Sequence, residues 1–356
     1  MTKIAKATLF AFTLLSLGSL SVHPAFAQSL TATIDIFTQN DIQFDPNDST
    51  DYETASVKPV DNGREIYTSV TLPSYNDDVR ITAHLTVHPI PKDEIVVHDK
   101  WDRAGNVRLS AEGMADIEII KYITAYGGLT EYEVDVSHLA PVLKGDCTFK
   151  AFIDTWVSPA WKIDFSLEFE PIADSSGEEV YIDYILNPDW AEGIMFVESY
   201  SAEKHGEKGV TCDVIIPRDM KRVVMNYFVS GHCTDGSGAD EFVPKDNVIF
   251  VDGRPVFRFQ PWRDDCIDFR AVNPYTRRWS EGYWSSDFSR SGWCPGDKVD
   301  PVQIDLTDYL TPGSHTIRFE IENVRPKDDN DHYGYWRLSS HLLGWEKKVN
   351  LVKWKM

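Results

Sequence analysis

Two acidic motifs, about 140 residues apart, carry the side chains of this sequence that are best suited to chemistry. The first is Trp101-Asp102-Arg103, in which an aromatic ring, a carboxylate and a guanidinium follow one another. The second is a glycine-rich stretch at residues 230–242, which includes Glu241. A carboxylate can activate water for hydrolysis, and a neighbouring arginine can keep it ionised. A salt-bridged turn is the alternative interpretation of the first motif, because such ion pairs are common and mostly structural.

The segments that must position these motifs have the period of β-strands. Polar and apolar residues alternate at 31–44 and 64–89, and further strands are predicted at 106–109, 117–126, 131–136, 148–156 and 161–170. Turn-forming clusters separate them, and no long stretch after the N-terminus has a helical period. Many short strands with frequent turns predict an all-β sandwich.

A weak internal repeat predicts two domains of similar build. The strand, polar turn and strand at residues 133–152 are echoed at residues 303–319. The polar stretch at 173–179 is the predicted boundary. We therefore expect one domain at 28–173 and a second at 178–356.

The N-terminus predicts export. Lys3 and Lys6 precede an apolar run of about 14 residues, and Ala25-Phe26-Ala27 precede Gln28, as in a cleavable signal peptide at 1–27. No comparable apolar run follows, so we expect a periplasmic or secreted protein with no membrane partner. The net charge of −21 opposes binding to phosphate backbones, which excludes nucleic acid as an expected partner.

Five cysteines allow at most two disulfides and leave at least one thiol unpaired. Their spacing alone does not determine the pairing, and no Cys-x-x-Cys motif indicates a zinc site. Aromatic residues make up 12% of the chain, with 11 Trp. Many should belong to the core, but several stand in polar loops, where flat apolar faces often bind carbohydrate.

Taken in order, the motifs resemble the peptide-N-glycosidase F family of bacterial exported amidases, which remove whole N-linked glycans from asparagine. The similarity covers nearly all of the predicted mature chain, and its most specific motif is Arg-Ser-Gly-Trp-Cys-Pro-Gly at 290–296. The resemblance implies two side-by-side eight-stranded antiparallel jelly-roll domains and no metal or other cofactor. It also implies a monomer that acts on N-glycosylated proteins or peptides through their core N-acetylglucosamines.

The resemblance also implies roles for individual residues. Three acids are implied as catalytic: Asp102 and Glu241 match the two essential carboxylates, and Asp154 stands where the family has a glutamate. The other residues implied in substrate binding are Trp101, Arg103, Trp156, His232, Phe242, Arg290 and Trp293. Cys266 and Cys294 match a family disulfide, whereas two other family disulfides are absent because Ala239, Val243, Asp93 and His98 occupy their positions.

These roles make chemical sense for amide hydrolysis, which needs a positioned water, a base and donors for the developing oxyanion. Asp102 would activate the water or manage the leaving-group proton, and Glu241 would hold the water or a sugar hydroxyl. Trp101, Trp156 and Trp293 would offer flat faces to sugar rings. The structural alternatives are a solvated loop acid for Glu241, a core tryptophan for Trp293 and a loop histidine for His232.

Two other functions fit the same architecture. A glycan-binding module without turnover would share the fold, because a fold does not fix function. A lectin, however, has no need to keep two acids in one cleft. A copper monooxygenase would need clustered histidines, and the ten histidines here are scattered without a His-x-His pair.

Overall fold

The computed structural model of the chain describes residues 31–75, 78–94, 96–110, 115–172, 184–185, 195–234 and 239–345. The predicted signal peptide at 1–27 and the predicted domain boundary at 173–179 lie outside these residues, so both remain predictions. Within the described ranges the chain forms antiparallel strands, loops and short 3₁₀ turns. None of the helices in these ranges is long and apolar enough to cross a membrane.

The N-terminal half is a sandwich of two sheets. One sheet has four strands and the other has five. The described strands are β1 (Ala32–Ile42), β2 (Lys58–Val60), β3 (Glu65–Leu72), β4 (Val79–Pro89), β5 (Ala104–Ser110), β6 (Ile117–Ile123), β7 (Thr130–Asp135), β8 (Gly145–Ile153) and β9 (Trp161–Pro171). The strand orders are β1-β9-β4-β7 and β2-β3-β8-β5-β6.

The C-terminal half repeats this architecture. The described strands are β10 (Tyr184–Ile185), β11 (Met195–Ser201), β12 (Val210–Ile216), β13 (Arg222–Cys233), β14 (Asn247–Val251), β15 (Arg254–Phe259), β16 (Val302–Asp305), β17 (Gly313–Ile321) and β18 (Gly334–Trp345). One sheet has the order β10-β18-β13-β16, with β11 also paired to β18, and the other has the order β12-β17-β14-β15.

The predicted all-β fold with two sandwiches is confirmed. The described part of each half has nine strands rather than eight, a count that includes the three-residue β2 and the two-residue β10. Two predicted strands end earlier than expected, β6 at Ile123 and β8 at Ile153. The residues that follow them, 124–126 and 154–156, form loops that carry site side chains.

Strand alternation builds the core of each sandwich. In β4 the buried side chains are Val79, Ile81, Ala83, Leu85 and Val87, every second residue, as a half-buried strand requires. They pack in one cluster with the inward residues of β9, from Trp161 to Phe169. Burying each large apolar side chain contributes roughly 1.5–3 kcal/mol, so this alternation stabilises the sheets that carry the loops.

The strands β6, β13 and β18 are buried along almost their whole length, unlike β4. Their outer faces meet between the halves, where polar groups pair across the interface. Ser339 of β18 donates to Glu118 of β6 (2.5 Å), and Arg337 of β18 donates to Asp154 (2.6 Å). The two sandwiches therefore lie side by side, and loops from both reach one end of this interface.

The Cys266–Cys294 disulfide is present and closes a loop with a sequence separation of 28 residues. This loop carries Arg290 and Trp293 to the interface. Replacing both cysteines by serine should lower the free energy of unfolding by about 3.5 kcal/mol, because the unfolded chain regains the entropy of the open loop. Urea unfolding of the double variant, with the Cys212→Ser variant as control, measures this; an unchanged midpoint would contradict it.

Candidate active site

A cavity of about 530 Å³ lies where the two halves meet, within the usual size range of ligand sites. Both halves contribute to its walls, and seven of the predicted site residues line it. The N-terminal half contributes Arg64, Asp102, Arg103, Ala104, Asp154 and Trp156. The C-terminal half contributes Ser199, His232, Cys233, Thr234, Glu241, Trp293, Tyr333, Tyr335 and Arg337.

One buried guanidinium joins two of the three predicted catalytic acids, Asp102 and Glu241. Arg290 Nη2 lies 3.5 Å from Asp102 Oδ2, and Arg290 Nε lies 3.3 Å from Glu241 Oε1. The arginine side chain is 1% exposed, whereas the Asp102 and Glu241 side chains are 13% and 15% exposed. The two acids come from different halves, so this arginine fixes their relative position.

The orientation of Arg290 is fixed by its own loop. Its Nη1 donates to Phe288 O (2.8 Å) and its Nη2 to Ser285 O (2.8 Å). The rings of Phe242 and Trp293 lie 4.9 and 4.8 Å from the guanidinium carbon. Cation–π contacts of this kind add stabilisation where water is excluded. Phe242 thus packs against the Arg290 guanidinium and does not line the cavity.

Burial raises the pKa of both acids. For Asp102, burial raises the pKa, and the charge of Arg290 opposes this. For Glu241, burial raises the pKa to about 7, the charge of Arg290 again lowers it, and the charge of Asp102 raises it. Two carboxyls whose pKa values are moved towards neutrality are suited to proton transfer near pH 7.

Tyr126 is a site residue that we did not assign from the sequence. Arg290 Nη2 lies 3.3 Å from its hydroxyl, and that hydroxyl also hydrogen-bonds Asp102, which lowers the pKa of the acid. Its backbone N–H donates to Asn273 Oδ1 of the other half (2.8 Å). The sequence placed it only at the end of the strand predicted at 117–126.

The expected alternative for Asp102, an ion pair with Arg103, is wrong. Arg103 instead pairs with the fully buried Asp99 through Nε (2.9 Å) and Nη2 (3.2 Å). Asp99 also accepts hydrogen bonds from Thr155 Oγ1 (2.6 Å) and Trp161 Nε1 (3.3 Å). Asp99 therefore connects the loop that carries Asp102 to the loop that follows β8. Because Arg103 pairs with Asp99, the guanidinium that contacts Asp102 is that of Arg290.

Asp154 lies in the cavity wall between two arginines. Arg337 Nη2 donates to Oδ2 (2.6 Å), and Arg64 Nη1 donates to Oδ1 (3.3 Å). Arg337 comes from the other half, 183 residues away in sequence. With a guanidinium on each oxygen, Asp154 is placed to orient a polar ligand, and a catalytic role for it remains a prediction.

The predicted tryptophans occupy three different environments. Trp156 is 58% exposed, lines the cavity and is covered on one side by the Arg64 guanidinium at 4.4 Å. Trp101 is 43% exposed and lies outside the cavity wall, 5.9 Å from the Arg277 guanidinium. Trp293 is only 2% exposed, and its Nε1 donates to Gly231 O (2.8 Å). Trp293 therefore has almost no face for a sugar, which corrects that expectation.

His232 is neither in a loop nor charged. It lies on β13, buried, and its ring stacks between Trp293 and Tyr335 with centroid distances of 5.4 and 5.3 Å. Its Nε2 lies 2.8 Å from Ser230 Oγ. Burial lowers its pKa well below the usual 6.5, and the charges of Arg337 and Lys121 lower it further.

Asp240 anchors the chain beside Glu241, where Ala239 and Val243 occupy the positions of a family disulfide. It is fully buried, has a positive φ of 67°, and accepts a hydrogen bond from Arg325 N on Oδ2 (3.0 Å). The backbone of Gly334 passes so close that a Cβ there would lie 1.4 Å from that oxygen. This anchor positions Glu241, the next residue in the chain.

Among the described residues, one group of three potential metal ligands occurs, Asp265 with Cys266 and Cys294. The two sulfur atoms of this group are already bonded to each other. The group lies outside the cavity wall.

Residues 199–343 match the family model described as peptide-N-glycosidase F, C terminal. Among solved structures, the chain resembles PNGF-II, with a TM-score of 0.74 and 24% identity over 91% of this chain and 66% of that chain. It also resembles PNGase F, a glycosylasparaginase from Flavobacterium meningosepticum, with a TM-score of 0.62 and 18% identity over 88% of this chain and 96% of that chain.

A third similar structure is a peptide-N(4)-(N-acetyl-beta-D-glucosaminyl) asparagine amidase, with a TM-score of 0.60 and 18% identity over 90% of this chain and 98% of that chain. No curated protein matches the chain significantly. The chain spans 66% of the length of PNGF-II. The chain thus matches the peptide-N-glycosidase F family model over residues 199–343, and its fold is similar to that of the solved structures of PNGF-II and PNGase F.

Proposed function

We propose that the protein is an amidohydrolase that cleaves the amide between an N-linked glycan and its asparagine. One observation carries the proposal: Asp102 and Glu241, from different halves, line one cavity together with the exposed Trp156, and both contact the buried Arg290. Two solved relatives are named for this chemistry, a glycosylasparaginase and an N-acetylglucosaminyl asparagine amidase.

The proposed reaction adds water to the asparagine side-chain carbonyl and breaks its bond to nitrogen. Asp102 takes a proton from the water, which attacks the carbonyl carbon, while Glu241 holds the water from the opposite side. The nitrogen receives the proton that Asp102 took from the water and leaves with the sugar as a glycosylamine, and the asparagine becomes aspartate. Tyr126 and Arg290 hold Asp102 in place throughout.

The sugar would occupy the side of the cavity formed by Trp156 and Asp154. The exposed face of Trp156 offers an apolar surface to a sugar ring. Asp154, with Arg64 and Arg337 on its two oxygens, offers charged acceptors and donors to sugar hydroxyls. The polypeptide part of the substrate would extend out of the cavity on the other side, past Asp102.

We further propose that the substrates are N-glycosylated proteins or peptides bound through their core N-acetylglucosamines. The protein would act as a monomer outside the cytoplasm after loss of the leader at 1–27. Nucleic acids and membranes are not among its proposed partners. The motifs and the net charge of −21 support these expectations.

Incubation with a defined glycopeptide in ¹⁸O-labelled water tests the reaction. Mass spectrometry should find the intact glycan released and one labelled oxygen in the aspartate that replaces asparagine. A peptide that keeps one sugar would indicate cleavage between sugars instead. Binding without any product would favour a glycan-binding module.

The proposed roles predict a pH dependence. Because burial raises the pKa of Glu241 to about 7, kcat/KM should fall as the pH drops below about 7 and this carboxylate gains a proton. The Glu241→Gln variant cannot titrate there, so its lower rate should stay level across pH 6–8. A wild-type rate that is flat over this range would contradict the assignment.

A further inference from the structure

Cys233 is the last residue of β13, and its thiol contacts Glu241, the acid of the same glycine-rich stretch. Its Sγ lies 3.3 Å from Glu241 Oε2, and Cys233 also lines the cavity. The antiparallel register of β13 and β18 pairs Cys233 with Gly334, the same glycine whose backbone packs against Asp240. The thiol is therefore held in place by the sheet and not by a loop.

The two oxygens of Glu241 have different partners. Oε1 faces Arg290 Nε (3.3 Å), and Oε2 faces the Cys233 thiol. A thiol is a weak donor, and its hydrogen bond to an ionised carboxylate is stronger than one to a neutral acceptor. Because residues 239 and 243 are alanine and valine, no disulfide beside Glu241 fixes its side chain. Its direction depends on these two contacts and on the Asp240 anchor.

We propose that Cys233 is a positioning residue for the amidase reaction, which donates a hydrogen bond to Glu241 Oε2 and aims this carboxylate into the cavity. The inference rests on the proposed function for its catalytic consequence. The contact between the thiol and the carboxylate can be tested without turnover.

The charged and titratable groups around Glu241 determine in which direction its pKa should move when the Cys233 thiol is removed. Arg290 and the Cys233 thiol lower the pKa of Glu241, while burial and Asp102 raise it. Tyr126 and Tyr335 also face the acid, and both phenols are kept neutral because burial raises their pKa, that of Tyr335 to about 12. Removing the thiol should therefore raise the pKa of Glu241, by roughly 0.3–1 unit for a hydrogen bond of ordinary strength.

The test compares Cys233→Ala with Cys233→Ser, and Cys212→Ala serves as a control because Cys212 is a partly buried thiol that does not line the cavity. In Cys233→Ala, the acidic limb of kcat/KM should move to higher pH by roughly 0.3–1 unit, and kcat should fall several-fold. Cys233→Ser keeps a donor and should restore most of the rate, with the limb near its wild-type position. Cys212→Ala should match the wild type in both measurements.

The titration of Glu241 can also be followed directly by ¹³C NMR of labelled glutamate, with the signal assigned from Glu241→Gln. An unchanged Glu241 titration in Cys233→Ala would overturn the inference, even if the rate fell. Loss of all activity in both Cys233→Ala and Cys233→Ser would also overturn it, because a nucleophilic thiol and not a positioning one would then be required. A wild-type protein without turnover would refute the amidase proposal alone, since the NMR result would still stand or fall by itself.

Discussion

Asp102→Asn should abolish turnover of a glycopeptide while the variant still binds it. The substitution keeps the shape of the side chain but removes the basic oxygen, and a general base contributes about 10²–10⁴-fold to such rates. We expect kcat to fall by about 10³-fold or more, with a Kd within about threefold of the wild-type value. Single-turnover kinetics and calorimetric titration with the same glycopeptide measure the two effects.

Asp116→Asn is the matched control for the loss of an acid that is ion-paired in the fold. Asp116 accepts contacts from Arg108 (2.8 Å) and Lys150 (3.1 Å) away from the cavity wall. This variant should lose some stability and keep its kcat. Near wild-type turnover by Asp102→Asn would show that the assigned site is wrong. Parallel loss of affinity and rate would make Asp102 a substrate holder, and another group would then perform the chemistry.

Substitution of Arg290 should have the second largest effect, because one side chain serves both acids. Arg290→Lys keeps the charge but cannot present separate N–H groups to Asp102 and Glu241, so we expect kcat/KM to fall by about 10²–10³-fold. Arg290→Met also leaves two buried carboxylates without their cation. This should cost about 3–5 kcal/mol of unfolding free energy above pH 7. The cost should shrink as the pH falls and the two acids gain protons.

Arg258 offers the matching surface control. It also bridges two acids, Asp246 (2.8 Å) and Glu322 (2.6 Å), but its side chain is 51% exposed. Because exposed ion pairs contribute little, Arg258→Met should leave both stability and kcat close to those of the wild type. Chemical unfolding at pH 5 and pH 8, with activity assays, compares the two variants. Equal losses at both positions would show that Arg290 is an ordinary ion-pair residue.

The strands could be predicted because their signal is local. In β4 and β9 every second side chain faces the core, and this period follows from backbone geometry alone. The ends of β6 and β8 were less predictable. Apolar residues continue past Ile123, yet the backbone leaves the sheet there to form the site loops.

The sequence by itself determined the all-β class and, through motifs that resemble those of a known family, predicted the candidate acids at 102 and 241 and the pairing of Cys266 with Cys294. Only the tertiary structure decided which cation meets which acid. The arginine next to Asp102 in sequence turns to Asp99, while Arg290 reaches Asp102 from the other half. Packing likewise decided that Trp293 is buried and Trp156 exposed. Ion pairing and burial depend on residues far apart in the chain, which no local pattern encodes, whereas strand alternation is fixed residue by residue by the backbone.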